Sequence, residues 1–520
     1  DMLAGVANTG KPRVLVFIVA YNAEKTIGKV VHRIPAALQS TYDVDVLIID
    51  DSSADATFEQ GHGVSQDPSL PFPVVVLFNP KNQGYGGNQK LGYHYAIEHG
   101  YDFVALIHGD GQYAPECLPE LLEPLRKGDA DAVFGSRMLT PAGARRGGMP
   151  LYKFVGNRIL TWIENRLLGT SLSEFHSGYR IYSTRALASV PFDRNSRDFH
   201  FDTEIIIQFV IAGLTIRELP IPTYYGDEIC YVNGMKYAFN VIVAALTARL
   251  QSAGLFYDRK FDCAPPNVLP YVPKFNYTSP HTLAFERVRP GTRVLDVGCA
   301  GGYLGEHLMR HKQCHVDGID SFPLMDASLS SFLLHDLNNG MPALEYGRYD
   351  YVLMLDVIEH LAKPEWFLEQ LRAALSMKPS VEVILSTANI GFAATRFMLL
   401  IGQFNYGKRG ILDLTHTRLF TFSSFERAVR QAGFDIVERL GVPGPMPLAL
   451  GDNFLSRMLM KWNRLLIHIS RGMFSYQIYL RVKPQPSLQH LLKTAEEQSR
   501  KRAEAINALE ASRTAPTAVR

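Results

Sequence analysis

Asp50 and Asp51 end the apolar run VDVLIID-D and are followed by Ser52 and Ser53. Carboxylates at such a strand end can accept hydrogen bonds from a base or a ribose at the carboxyl edge of a sheet. Helix capping uses the same residue types and stays open. A second cluster, His108-Gly109-Asp110-Gly111-Gln112, follows the apolar run FVALI. Asp110 there has the chemistry to hold a divalent ion against a diphosphate, and the flanking glycines let a ligand approach the backbone. A polar turn is the plainer alternative. Further along, VLDVGCAGGYLGEHL at 294–308 arranges Asp296, Gly298 and Gly301 about a strand–loop–helix junction. Small residues there admit a cofactor to the backbone, and the helix start offers N–H groups. The loop reads GCAGG and departs from the GxGxxG of nicotinamide-binding folds. Asp320, closing CHVDGID, is placed to bind both hydroxyls of a ribose, and Asp336 in FLLHDLNN to accept from an adenine amino group. Asp356, Glu359 and His360 follow YDYVLML, where a reaction mouth is expected; a zinc trio is a poor match to that spacing.

These groups need strands that end together. Strands are expected at 12–20, 44–50, 73–79, 103–107 and 131–136, with helix-like NQKLGYHYAIEHG and LPELLEPLRKG among the segments between them. That alternation predicts an α/β fold with a mainly parallel sheet. A second α/β series begins at 292–298 and runs through CHVDGID, YDYVLMLD and VEVILST to a last strand at 476–482. The 520 residues therefore read as two α/β domains, 10–250 and 286–485, with a proline- and aromatic-rich connector at 251–285 and a polar tail at 486–520 that forms an exposed helix before fraying. A net charge of +2 gives no reason to expect nucleic acid as a partner. Five scattered cysteines without a CxxC pair suit a reducing compartment. With no signal-like N-terminal pattern and no apolar run of spanning length, a cytoplasmic protein is expected, placed at the inner face of the plasma membrane if it touches lipid.

The ordered motifs VAYNAEKTI, IDDSSADAT, NQGYGG, HGDGQYAPE, VFGSRM and FHSGYRIYS, across residues 12–235, resemble the family-2, GT-A-fold glycosyltransferases, above all the dolichyl- and polyprenyl-phosphate sugar transferases. The resemblance implies an inverting transfer from a UDP- or GDP-sugar to a glycan or polyprenyl-linked acceptor. It implies donor contacts from Tyr21, Asp50 or Asp51 (with a slight preference for Asp50), Asp110, Gln112 and Arg137. Arg180, in SGYR, is expected at the donor or acceptor phosphate, with a structural ion pair as its alternative. The family's metal motif has two aspartates with one residue between them. Here His108 takes the first place and Asp110 the second, so Mn2+ or Mg2+ would meet an imidazole and a carboxylate. Glu174 falls where the family often has an acidic base. If the nucleophile is already a phosphate oxygen, Glu174 instead orients the metal or the substrate. Asp202 and Glu204 read as packed polar supports. Residues 145–169 mix bulky apolar side chains with five basic ones, which suits either an anionic membrane surface or an ordinary helix against the core.

The second series, residues 280–482, resembles the class I S-adenosylmethionine (SAM) methyltransferases, which implies a seven-stranded sheet with a reversed final strand. The resemblance places Asp296, Gly298 and Gly301 in the SAM loop, Asp320 at the ribose, Asp336 at the adenine and Asp356 near the reacting end. His360 is the first candidate for a base and His416 the second. Residues 387–420 are expected to form a lid. At 453–471, Leu455, Met458, Leu459, Trp462, Leu465, Leu466 and Ile469 fit one broad helical face, which is expected to pack onto this domain; membrane binding and a homo-oligomeric contact are the other readings. The chain is thus expected to add a sugar and then a methyl group to one glycan. The alternative is a methyltransferase whose first domain, weakened by His108, only holds a glycan or lipid.

Overall fold

Arg13–Ala20, RVLVFIVA, is apolar on both faces, which suits a strand covered by helices on each side. Val14, Val16 and Ile18 face one core layer, and Leu15 and Phe17 the other. This strand, β1, sits inside a seven-stranded sheet with β2 (Asp43–Asp50), β3 (Val74–Phe78), β4 (Phe103–His108), β5 (Ala132–Ser136), β6 (Arg180–Ser183) and β7 (Ile216–Pro220). The order is β3-β2-β1-β4-β6-β5-β7. The sheet is mainly parallel, as expected, and β6 alone runs antiparallel to both of its neighbours.

The computed structural model describes residues 10–224, 233–252, 257–263, 275–324, 328–447, 451 and 453–514. They divide into two compact units, with 257–263 in the first and the chain from 275 onward in the second. Much of the expected connector, at 253–256 and 264–274, lies outside the described residues, as do 515–520 of the tail. Within the connector, Phe261 and Cys263 are buried in the first unit. Ser279 opens the helix Pro280–Arg287 of the second through a capping box with Thr282. The tail carries the helix Leu488–Thr514.

The second unit is another seven-stranded sheet: β8 (Arg293–Val297), β9 (His315–Asp320), β10 (Ser331–Leu334), β11 (Tyr351–Leu355), β12 (Glu382–Ala388), β13 (Phe434–Val442) and β14 (Gln477–Pro484). Its order is β10-β9-β8-β11-β12-β14-β13, with β14 antiparallel to β12 and to β13, so the final strand is reversed. Charge pins that reversal. Arg481 on β14 reaches Glu382 of β12 at 2.8 Å and Glu438 of β13 at 3.1 Å, and Arg287 holds Glu438 from outside at 2.7 Å.

Candidate active sites

In the first unit, strand register brings the motifs together. Ala20 of β1 pairs with Asp50 of β2, and Val19 pairs with His108 of β4. The Asp51 N–H donates to the Ala20 carbonyl and the Gly109 N–H to the Val19 carbonyl, each at 2.9 Å, so three chain segments leave the sheet side by side. An open cavity of about 2050 Å³ lies over that edge, and Tyr21, Asp51, His108, Asp110, Gln112 and Arg137 all line it. Tyr21 is 45% exposed at the rim, where an aromatic ring suits stacking on a base.

The structure reverses the preference within the aspartate pair. Asp50 turns inward, its Oδ1 taking the Ser53 N–H at 3.0 Å and the Ser53 hydroxyl at 2.5 Å, and it does not line the cavity. Burial raises its pKa, against the Ser53 bonds. Asp51 faces the cavity. Its Oδ1 accepts from Asn79 and the Gln83 N–H, both at 2.8 Å, and its Oδ2 from the Gly84 N–H at 2.9 Å. That leaves acceptor capacity on Oδ2.

His108 belongs to a half-buried relay that ends on buried Asp202. The Tyr85 hydroxyl donates to Asp202 Oδ2 at 3.0 Å, so its oxygen accepts from His108 Nε2–H at 3.1 Å. That fixes the tautomer and leaves Nδ1 with the lone pair. Burial lowers the pKa of His108, outweighing the nearby Asp110 carboxylate, and keeps the ring neutral. Gly178 packs on this ring, and a β-carbon there would collide with it. Among the described residues no three acidic, histidine or cysteine side chains gather as a metal cage. Mg2+ is usually held by one or two carboxylates plus substrate phosphates, so the donors present, the Asp110 carboxylate and a neutral imidazole, fit a divalent ion shared with a diphosphate.

Two expected roles do not survive. Arg180 is fully buried on β6. Its Nε donates to the Ser177 carbonyl at 2.8 Å, Nη1 to the Asp202 carbonyl at 2.9 Å and Nη2 to the Phe175 carbonyl at 2.7 Å, with the Asp202 carboxylate 3.7 Å away. It staples the 175–180 loop to the helix Phe201–Ile211 and does not line the cavity. Asp202 supports both Tyr85 and Arg180, in line with its expected role. Glu174 is buried as well. Its Oε2 takes the Arg137 N–H at 2.8 Å, and its Oε1 takes the Arg137 guanidinium and the Asn157 amide, the latter at 2.8 Å. Burial would raise its pKa, but the Arg137 charge and bonds hold it below the ordinary value. A carboxylate so engaged is a poor base; it aims Arg137 instead, whose Nη2 also donates to the His176 carbonyl at 3.1 Å.

Sequence reasoning missed the groups behind this loop. His176 lies 3.2 Å from buried Glu164 on the helix Leu151–Leu168, and its Nδ1 is 2.8 Å from the hydroxyl of Tyr237 on the helix Gly234–Ser252. Only three-dimensional proximity reveals that pairing. Tyr85 could have been flagged, since it stands within the NQGYGG motif.

In the second unit, the loop after β8 is tight. Gly298 has φ +74°, and a β-carbon there would strike Val357. Gly301 has open space beside it. Asp320 Oδ2 accepts from the Ala300 N–H at 2.7 Å and Oδ1 from the Phe322 N–H at 2.9 Å; each oxygen keeps a lone pair for a ribose hydroxyl. Asp336 uses one oxygen to cap Asn338, at 2.9 Å, and stays exposed. Asp296 is buried, and desolvation, helped by Asp320, pushes its pKa up to about 7.

Asp356 adopts φ +56°, rare for a residue with a side chain. Ser386 and Gln477 fix its two oxygens at 2.6 and 2.7 Å. Glu359 is buried and points away from the mouth. Its side chain takes the Ala388 N–H at 3.1 Å, its carbonyl holds the Thr417 N–H at 2.8 Å, and burial raises its pKa to about 8. That carbonyl anchors the loop that brings His416 to His360, with ring centroids 4.8 Å apart. His416 Nδ1–H donates to the Ile411 carbonyl at 2.9 Å, which leaves Nε2 with the lone pair. Burial lowers its pKa and favours the neutral form. The Thr415 hydroxyl donates to Asp413, so His360 Nδ1 is the donor to Thr415, at 3.0 Å.

Residues 15–190 match the family described as Glycosyl transferase family 2, and residues 272–439 match a Methyltransferase domain family. The undecaprenyl-phosphate mannosyltransferase of Micrococcus luteus is 30% identical over 215 residues, 40% of this chain and 82% of that protein. The UDP-N-acetylglucosamine–dolichyl-phosphate N-acetylglucosaminyltransferase of Methanococcus voltae is 29% identical over 223 residues, 41% of this chain and 86% of its own. A solved structure, glucosyl-3-phosphoglycerate synthase of Mycobacterium tuberculosis with UDP, aligns over 46% of this chain and 80% of its own, at 19% identity and a TM-score of 0.35.

Two predictions follow from this geometry. Glu174→Ala strands a buried guanidinium and is expected to cost about 3–5 kcal/mol of stability in urea unfolding; a free base would lose activity with little change in stability. At the second site a cationic ligand favours ionised Asp296. SAM affinity by calorimetry is therefore expected to rise about tenfold from pH 6 to pH 8, and Asp296→Asn to flatten that slope. An equal pH slope in the variant would refute the assignment.

Proposed function

The chain belongs to glycosyltransferase family 2 through its first unit and carries a class I SAM-dependent methyltransferase domain in its second, and from this we propose that it transfers a sugar from a UDP- or GDP-sugar to a polyprenyl-linked or glycan acceptor, with inversion, and a methyl group from SAM to a sugar hydroxyl of the product. The observation that carries the first half is the convergence of Asp51, Asp110 and Arg137 on one cavity. Asp51 suits the base or ribose, and Arg137 the diphosphate. Mn2+ or Mg2+, when bound, offsets charge on the departing diphosphate; Asp110 would hold it, with His108 Nδ1 as the other protein donor.

The locked state of Glu174 favours one acceptor class. A phosphate oxygen is already ionised and needs no base. It forms the new C–O bond opposite the bond to the diphosphate, which leaves with its electron pair. The cavity's surroundings support a lipid carrier. Leu151, Tyr152 and Ile159 on one helix, and Met235 and Phe239 on another, are exposed beside it, with Arg158 and Lys236 near them. Bulky apolar groups with basic neighbours suit an anionic bilayer surface, and so a place at the inner face of the plasma membrane. Among the described residues no helix is long and apolar enough to cross a membrane.

At the second site SAM, when bound, supplies a methyl group on a good leaving group, so the protein chiefly has to align a nucleophile. His416, neutral and with its Nε2 lone pair free, is the base proposed to take the hydroxyl proton, and His360 packs beside it.

Nucleotide release from UDP- and GDP-sugars, with metal and polyprenyl phosphate, is expected to fall about 100-fold in Asp110→Asn, and methyl transfer about 100-fold in His416→Ala with SAM affinity retained. If no donor in a broad panel is consumed by folded, SAM-binding protein, the first unit is a holding module for the acceptor.

A further inference from the structure

The helix Phe454–Ile469 leaves much of its apolar surface in water. It buries Ser456, Asn463 and Ile467 and half-buries Leu459, Met460 and Leu466. Asn463 locks it down, its Oδ1 accepting from the Gly444 N–H at 3.0 Å and its Nδ2 donating to the Phe474 carbonyl at 2.9 Å. The apolar arc faces out: Phe454 is 84% exposed, Trp462 59% and Ile469 78%, with Leu455 and Leu465 between them. This corrects the expectation that the whole apolar face packs onto the domain: Leu459 and Leu466 turn partly inward, and the rest of the face stays in solvent. At about 100° per residue, Arg457, Lys461, Arg464 and His468 fall together along one flank of that arc. The helix contains no acidic residue.

A second exposed apolar segment stands near its end. Phe397, Leu400, Ile401 and Phe404, on and just after the helix Ala393–Leu400, are open to solvent. The start of that segment is tied to the far end of the first by Asn389 Nδ2, which donates to the Gly472 carbonyl at 3.1 Å. Asn389 N–H also meets the Tyr476 carbonyl at 3.0 Å, one residue before Gln477, which holds Asp356. Both apolar segments therefore flank the edge of the sheet where the methyl site lies.

We propose that the second unit binds an anionic lipid surface through the outward arc of Phe454–Ile469 and the Phe397–Phe404 segment, and so receives its methyl acceptor from a membrane. Charge selects this occupant: a basic flank beside an apolar arc is complementary to anionic headgroups over acyl chains. The lipid contact stands on these two exposed segments; that it delivers the acceptor rests on reading the second site as a methyltransferase.

The chain has three tryptophans, so Trp162→Phe with Trp366→Phe leaves Trp462 as the sole reporter in the full chain. Vesicles of phosphatidylglycerol mixed with phosphatidylcholine are expected to shift its emission to the blue, and brominated acyl chains to quench it about twofold, with little change on pure phosphatidylcholine. Adding Leu465→Glu and Ile469→Glu is expected to weaken the response about tenfold while circular dichroism stays the same. Emission already blue-shifted without vesicles would mean that other parts of the chain cover the face. A shift that follows protein concentration alone would mean a second copy does. An unquenched Trp462 on vesicles that still float the protein would assign membrane binding to the first unit. Each of these results overturns the proposal, and none depends on methyl transfer.

Discussion

In both sheets the strands that lead to a site run parallel and stop in register, so several chain ends emerge at one edge with their next residues free of the ladder. The motifs of the first unit lie on the segments leaving β1, β2 and β4, and those of the second leave β8, β9 and β11. A one-residue change in register would turn Asp51 inward and Asp50 outward. The cavity is a consequence of that edge, because loops leaving it must splay to reach the helices on either face.

Buried charge then refines what register has placed. Arg137 and Glu174, and Arg180 and Asp202, are charge pairs in the interior of the first unit. Such pairs add little net stability over apolar packing but are costly to break singly. Their value here is orientation. Glu174 aims Arg137, Arg180 fixes the loop between them, and Asp202 passes a hydrogen bond through Tyr85 that sets the tautomer of His108. In the second unit the backbone does this work: the Glu359 carbonyl holds the loop of His416 from behind.

Much of this was legible in the sequence wherever a motif ends a strongly apolar run: Asp51, Asp110, Gly298 and Asp320 all stand there. What was not legible has definite causes. Residue type identified Arg180 and Glu174 as chemically able, but their partners come from segments far apart in sequence or from backbone carbonyls that leave no mark in it. Asp50 and Asp51 differ by one step of a strand, and their identities alone do not say which faces out. Strands β6 and β10 are four residues long, and β13 alternates buried and exposed positions in a way that reads as polar. The helix Phe454–Ile469 showed its apolar arc, yet which part of it turns inward goes with the bonds of Asn463 to Gly444 and Phe474 and with the burial of Ile467.

If one chain serves one acceptor at two sites, a single product must carry both transferred groups. The most direct test is mass spectrometry of the lipid-extractable product after the full chain is given polyprenyl phosphate, a consumed donor sugar, metal and isotopically labelled SAM. The expected product is a carrier bearing both the sugar and the labelled methyl group, with the unmethylated glycolipid from His416→Ala and neither from Asp110→Asn. Methyl label appearing at the wild-type rate in Asp110→Asn, on a product without the sugar, would contradict it.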